Sequence, residues 1–208
     1  MGKPDFSFEQ AFGREPVCGI DEAGRGPWAG PVVAAAVILD PANIPQGLND
    51  SKKLSELARE RLFDAITSTA TIGIGIAEVP RIDRDNILAA TLWAMAESVR
   101  ALKIMPILAL VDGNRPPKLS CAVQTIVGGD ALSLSIAAAS IIAKVTRDRI
   151  MAALSEEYPA YGFSRHKGYG TAVHQTALCQ HGPCPHHRKS FAPIATLVAR
   201  TSSPLFPG

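Results

Sequence analysis

Long apolar runs are missing from this 208-residue chain. Its most hydrophobic stretches, 32–39 and 104–111, fall far short of the roughly 20 residues that a membrane-spanning helix needs. Cysteine is sparse: the four at 18, 121, 179 and 184 do not make a disulfide framework, which suits a reducing cytosol. The N-terminus carries no basic region leading into an apolar stretch and a small-residue cleavage site, so no secretory leader is read there. These absences together predict a soluble, cytoplasmic protein. Two nucleotide-binding signatures are also lacking. Gly24, Gly26 and Gly30 miss the G-x-G-x-x-G spacing, prolines occupy the place where a phosphate-binding helix would start, and there is no P-loop. No internal repeat is visible.

What is present describes one compact unit. Apolar residues make up 47% and charged residues 19%, enough for a sizeable core and too few charges for disorder. The formal charge of +2 does not by itself announce a polyanion partner. Its distribution says more: residues 140–208 hold eight Lys/Arg against three acids, and the remainder holds 13 against 16. An acidic focus beside a basic C-terminal third suits a metal-dependent enzyme acting on a phosphate backbone. Ordinary solvated surface charge gives the same count.

Residues 1–16 are polar and turn-rich and read as a loose arm. Residues 17–20 read as a short buried strand, and Pro27 and Pro31 turn the chain back into a second strand at 32–39. Ser55 is placed to cap a helix reaching about 68, with Ala58, Leu62 and Ile66 on its inner face. The alternating, β-branched 71–79 is a third strand whose two glycines mark close backbone contact. Leu88, Leu92, Met95, Val99 and Leu102 recur at helical spacing and predict a helix over about 84–102. Short strands at 107–111 and 122–127 follow, then a long, largely buried helix over about 133–157. A Gly/Tyr/His-rich loop, a helix near 171–181, a Pro/His/basic segment and a frayed tail at 201–208 complete the chain. The pattern predicts an α/β fold, a mixed five-stranded sheet with helices packed on it.

Acids recur at the strand ends. Asp21 and Glu22 follow the apolar Val17-Cys18-Gly19-Ile20, Asp112 closes the run at 107–111, and Asp130 lies just past the strand at 122–127. Ligands bind at strand ends in open α/β sheets, and parallel pairing of the first and fourth strands would bring these carboxylates together. Any one of them also reads as a common turn signal. Several acids at one rim suit hard divalent cations, which take oxygen ligands and activate water for phosphodiester cleavage. Gly24-Arg25-Gly26 beside them leaves bare backbone for close approach to a ligand. Tyr158, Tyr161, Phe163 and Tyr169 surround Arg165-His166-Lys167, a mixture used for stacking on nucleic acid, although packing on the long helix accounts for Tyr158 and Phe163 equally well. The Cys/His-rich 179–187 admits a small zinc site, a phosphate-facing loop or a solvated turn; it lacks paired C-x-x-C spacing.

The blocks GIDEAGRGPWAGPVVAAAVIL, NDSKKLS, LVDGN, GGDALSLSIAAASIIAKVTRDR, YGFSRHKGYGT and HRKSFAP resemble, in order, those of bacterial ribonuclease HII, a type 2 ribonuclease H. The resemblance runs from about 17 to 194. Only 16 residues precede the first strand, unlike the related ribonuclease HIII with its extra N-terminal domain. It implies a ribonuclease H-like fold with helices on both sheet faces, one catalytic domain over 17–200, and a short helical C-terminal region from about 158 that contacts substrate. The implied activity is an endonuclease cutting the RNA strand of RNA–DNA hybrids and nicking 5′ of single ribonucleotides in duplex DNA. Its ends are 3′-hydroxyl and 5′-phosphate, and its role is ribonucleotide excision repair. The implied cofactor is Mn2+ or Mg2+, one ion without substrate and two with it, and the implied state is a monomer. By motif, the catalytic and metal-holding acids are Asp21, Glu22, Asp112 and Asp130. Gly24, Arg25 and Gly26 read the ribose 2′-hydroxyl, and Tyr169 packs on the neighbouring sugar. Lys52, Lys53, Lys144, Arg147, Arg165, Lys167 and Arg188 would hold phosphates. Asp148 reads as a salt-bridge partner. Gly128 departs from the family, which often has lysine there.

Overall fold

The computed structural model describes residues 3–13 and 15–202. Five strands, β1 (Val17–Ala23), β2 (Val32–Ile38), β3 (Thr71–Ala77), β4 (Leu108–Asp112) and β5 (Ala122–Ile126), form one sheet in the order β3-β2-β1-β4-β5. β1 runs antiparallel to β2, which runs antiparallel to β3; β1 is parallel to β4 and β4 to β5. The expected mixed sheet is therefore present, and so is the parallel β1–β4 pairing on which convergence of the acids depends.

Among the described residues eight α-helices surround it: α1 (Ser7–Gln10), α2 (Glu56–Thr69), α3 (Val79–Asp85), α4 (Ile87–Arg100), α5 (Leu134–Glu157), α6 (Phe163–His166), α7 (Ala172–His181) and α8 (Ala192–Ser202). Strand alternation sorts the core. Cys18, Ile20, Val32, Ala34 and Ala36 face one way and pack with Ala94, Met95 and Val99 of α4. Ala35 and Val37 face the other way, against Leu62 and Ile66 of α2 and the small-residue first half of α5. Gly73 and Gly75 let β3 lie directly on α4, since a Cβ at either would overlap the Ser98 or Ala94 carbonyl oxygen. Each Ile or Val buried in this way contributes roughly 1.5–3 kcal/mol, enough to fix which face is which.

Three elements depart from the sequence expectation. The helix expected over 84–102 is two helices broken at Asn86, whose φ of 69° turns the chain and whose side chain accepts from the amides of Leu88 and Ala89. The N-terminal arm is docked rather than loose. The Asp5 amide and carbonyl bond to Leu132 and Leu134, and buried Glu9 accepts from Ser133 and Ser135 at the start of α5. The segment after α7, expected as irregular, carries α8; of the expected frayed tail, 201–202 lie in α8 and 203–208 lie outside the described residues.

Candidate active site

Register places the acids. β1 and β4 pair through Ile20–Val111, so Asp21 and Asp112 are the next step along neighbouring parallel strands. Both stand on the α5 side, because Ile20 and Val111 before them point to the α4 side. Asp130 arrives on that side from a single turn of 3-10 helix, Gly129–Ala131, which leads into α5. Carboxylate oxygens of Asp21, Asp112 and Asp130 lie within 4.8 Å of one another. Each strand acid has one oxygen held: Asp21 Oδ1 accepts from the Glu22 amide at 2.7 Å, and Asp112 Oδ1 accepts from the Gly129 amide at 2.7 Å.

Glu22 is not in this triad. It is adjacent to Asp21 in sequence but alternates to the other face of the strand, and it accepts from Arg25 Nη1 at 3.2 Å. Its side chain lines a second hollow with Arg25, Leu88, Asp112 and Asn114. The four acids expected at one rim are thus three together and one around the edge.

The triad is electrostatically costly as it stands. Burial raises the Asp21 carboxyl well above the usual carboxylate range, and Glu22, Asp112 and Asp130 add to the rise. Burial also raises Glu22, with Arg25 opposing it. Asp130 is raised by burial first and then by Asp112 and Asp50. Lys52 Nζ stands 3.6 Å from Asp130 Oδ2. Partial burial works against that ammonium, but Asp130, Asp21 and Asp50 outweigh it and raise its pKa. Three carboxylates in mutual reach, two of them buried and Asp112 partly so, suit a hard divalent cation, which supplies the missing positive charge and takes oxygen ligands. No other group of three His, Cys, Asp or Glu side chains among the described residues has ligand atoms this close, so the zinc reading of 179–187 gains no support.

A groove of about 380 Å³ opens beside Asp21 of the triad and is lined by Asp21, Glu22, Gly24, Arg25, Gly26, Lys52, Lys144, Arg147 and Tyr169. Tyr169 is half exposed, and a Cβ placed at Gly26 would lie 3.5 Å from its ring. The glycine-arginine-glycine backbone and the tyrosine therefore form two sides of one slot leading from the acids. Lys144 lines the slot with its Nζ on Asp148 at 2.7 Å, the salt bridge expected for Asp148. Lys53 and Arg165 are exposed and do not line the slot, and Lys167 turns its Nζ back onto the Ser164 carbonyl at 2.8 Å. Gly128 takes a left-handed φ of 68° with open space around it.

Arg147 and Arg188 correct the sequence reading. Both were expected on phosphates, yet they are 1% and 0% exposed. Arg147 donates to the carbonyls of Pro31, Lys167 and Ala29 at 2.9, 3.0 and 3.1 Å. Arg188 donates to Gly30 at 3.0 Å and Arg25 at 2.9 Å, and also to Gly24. Their charge satisfies the carbonyls of an irregular buried segment and so shapes the slot from behind.

The histidines, clustered in sequence between 166 and 187, form a buried pair at their centre. His174 and His187 are fully buried and touch through their Nε2 atoms at 2.9 Å. Burial, with His174 adding to it, pushes His187 down to about 4. The buried ring stays neutral while the unfolded chain takes up a proton near 6.5. Its contribution to stability is therefore complete above pH 6.5 and is lost as pH falls toward 4. Between pH 7.5 and pH 5 the wild type should lose on the order of 2 kcal/mol that a His187→Asn variant does not lose. Urea unfolding at the two pH values checks this; equal losses in both proteins would refute it.

Comparison with known proteins agrees with the geometry. Residues 18–194 match the family described as Ribonuclease HII. The ribonuclease HII of Xanthobacter autotrophicus is 61% identical over 193 residues, covering 91% of this chain and 78% of its own length. That of Azorhizobium caulinodans is 61% identical over 182 residues, covering 88% and 70%. Among solved structures, ribonuclease H2 from Pyrococcus horikoshii superposes with a TM-score of 0.74 at 29% identity, over 88% of this chain and 97% of that one. The mixed sheet with helices on both faces is therefore a ribonuclease H-like fold.

Proposed function

Because this chain belongs to the ribonuclease HII family, we propose that its endoribonuclease activity on the RNA of RNA–DNA hybrids extends to nicking 5′ of a single ribonucleotide in duplex DNA, leaving 3′-hydroxyl and 5′-phosphate ends. The observation that carries this reading is the continuity of the slot: Asp21 and Glu22, the bare Gly24–Gly26 backbone, Tyr169 and two lysines line one groove. Asp21, Asp112 and Asp130 would hold a divalent cation, magnesium or manganese by the chemistry of their oxygens, and Glu22 lies at the edge for a second. When bound, such ions supply an activated water and stabilise the leaving 3′-oxygen.

The chain's own groups do the selecting. The 2′-hydroxyl is what distinguishes RNA from DNA at a single position. Gly24 and Gly26 present backbone with no side chain in the way, and Arg188 holds the Gly24 and Arg25 carbonyls from behind. Tyr169 offers a flat ring face across the slot, suited to packing on the neighbouring sugar. Lys52 and Lys144 place positive charge at the rim for phosphates.

A duplex with one ribonucleotide, labelled at both ends and incubated with Mg2+ or Mn2+, should give one nick immediately 5′ of that residue, and EDTA should stop it. A cut on the 3′ side, cyclic phosphate ends, or cutting that persists in EDTA would overturn the proposal.

A further inference from the structure

The slot's tyrosine wall is held by hydrogen bonds whose direction can be assigned. A carbonyl oxygen only accepts, so the 2.9 Å contact between His174 Nδ1 and the Tyr169 carbonyl puts the proton on His174 Nδ1. A backbone amide only donates, so the 2.9 Å contact from the Cys184 amide leaves His187 Nδ1 bare; the Cys184 carbonyl is farther, at 3.3 Å. His187 then carries its proton on Nε2 and donates it to the lone pair on His174 Nε2 at 2.9 Å. The sequence of bonds runs one way, from the Cys184 amide through His187 and His174 to the Tyr169 carbonyl, with both rings neutral.

The far end of this link is fixed to the other wall. His187 pairs with Ala29 in an isolated bridge, and the next residue is Arg188, whose guanidinium holds Gly24, Arg25 and Gly30. Arg188's amide bonds to the Trp28 carbonyl at 2.8 Å, and Trp28's amide bonds to the Gly168 carbonyl at 2.9 Å. His166 stacks on His174 with ring centroids 4.6 Å apart, and Phe163 and Trp28 close round it. A two-histidine hydrogen bond in an aromatic enclosure thus spans the gap between the glycine-arginine-glycine segment and the residue opposite it.

We infer that His174 and His187 are positioning residues for ribonucleotide recognition: the His174 Nδ1–H bond sets the Tyr169 backbone relative to Gly24–Gly26 and so the width of the slot, and His187, by donating to His174 Nε2, keeps that proton on Nδ1. Neither ring reaches the groove, and both act through Tyr169. The inference rests on the reading of Tyr169 as a substrate contact.

Substitutions at one position separate the two bonds. In His174→Asn the amide nitrogen sits near the lost Nδ1 and keeps a donor for the Tyr169 carbonyl. In His174→Gln the side-chain end sits near the lost Nε2 and keeps the partner for His187 while releasing Tyr169. Single-turnover nicking of a one-ribonucleotide duplex at pH 8 should fall about tenfold or more in His174→Gln and stay within about threefold of wild type in His174→Asn, given that displacements near 1 Å can cost on the order of 100-fold. The same pair is then measured in a Tyr169→Ala background, where His174→Gln should add no further loss. If His174→Gln does not fold, His187→Asn removes the donor that keeps the proton on His174 Nδ1, and its nicking should fall by more than the threefold allowed to His174→Asn; an unchanged rate would overturn the inference. Equal losses in the Asn and Gln variants, or an undiminished effect of the breaking variant without the tyrosine side chain, would overturn the inference. An unimpaired Tyr169→Ala enzyme would instead remove Tyr169 from the substrate site, a separate failure.

Discussion

Asp112→Asn is expected to reduce cleavage at least about a thousand-fold, roughly 4 kcal/mol of transition-state stabilisation, while making the metal-free protein more stable. The substitution is nearly isosteric. The amide oxygen can keep the bond from the Gly129 amide, now 2.7 Å to Asp112 Oδ1, so the turn that carries Asp130 has no reason to move. What disappears is one of three negative charges within 4.8 Å. Asp112 is among the charges that raise the carboxyls of Asp21, Glu22 and Asp130, and its neutralisation relieves all three. That relief should amount to on the order of 1 kcal/mol, or about 2–4 °C in the melting temperature measured in EDTA. Added Mg2+ or Mn2+ should stabilise the wild type and do much less for the variant. Opposite signs for activity and metal-free stability are the mark of a site assembled for a cation. A variant that is inactive because it is destabilised would point to a structural aspartate instead.

The second large effect separates two glycines two residues apart. Gly24 has a φ of 97°, and a Cβ there would overlap the Arg147 side chain. Arg147 cannot yield easily, since its guanidinium holds the carbonyls of Pro31, Ala29 and Lys167 and is buried. Gly24→Ala should therefore cost roughly 2–4 kcal/mol, through overpacking and strained backbone together, and should disable cleavage of every substrate. Gly26 differs: it has no positive φ, and its Cβ would meet only the Tyr169 ring at 3.5 Å. Gly26→Ala should fold with stability within about 0.5 kcal/mol of wild type, because the methyl points into the slot. There it stands between the backbone and the tyrosine, and nicking at a single ribonucleotide should fall on the order of 100-fold. Urea unfolding and nicking rates for both variants check the contrast. A Gly26→Ala enzyme with normal nicking would show that the substrate does not enter between Gly26 and Tyr169.

Much of this arrangement is legible in the sequence because it follows from local rules. Acids at the ends of apolar runs mark the rim, the Ser55 cap sets the start of α2, and the alternation of 71–79 sets β3 as far as Ala77, past which Val79 opens α3. Strand alternation also implies, from the sequence alone, that Asp21 and Glu22 face opposite ways. Other features depend on partners distant along the chain. Glu9 meets Ser133 and Ser135 across more than 120 residues, so the N-terminal segment looks loose until the fold supplies the hydroxyls. Arg147 in TRDR and Arg188 in HHRK look like phosphate contacts because the sequence shows their charge but not the carbonyls waiting for it. The link through His174 and His187 depends on which nitrogen faces which atom. The break at Asn86 lies just before the periodic Leu88, Leu92, Met95 and Val99, so their spacing does not register it.

The described residues contain no helix long and apolar enough to cross a membrane, and the basic residues near the site are of two kinds, exposed or half-buried lysines at the groove and buried arginines that hold backbone carbonyls. Lys52 and Lys144 line the groove beside the acids, whereas the arginines with most burial hold the chain to itself. We therefore propose that substrate selection rests on backbone and ring surfaces more than on charge. The most direct measurement of that claim uses three duplexes of one sequence that differ at a single nucleotide: ribose, 2′-deoxyribose or 2′-O-methylribose. With Mg2+ or Mn2+ present, the ribose duplex should be nicked at least about a thousand times faster than either of the others, as expected when one hydroxyl is read by fitted hydrogen-bonding groups. Comparable cutting of the all-deoxy duplex would contradict the account, leaving a metal-dependent nuclease that does not read the 2′-hydroxyl.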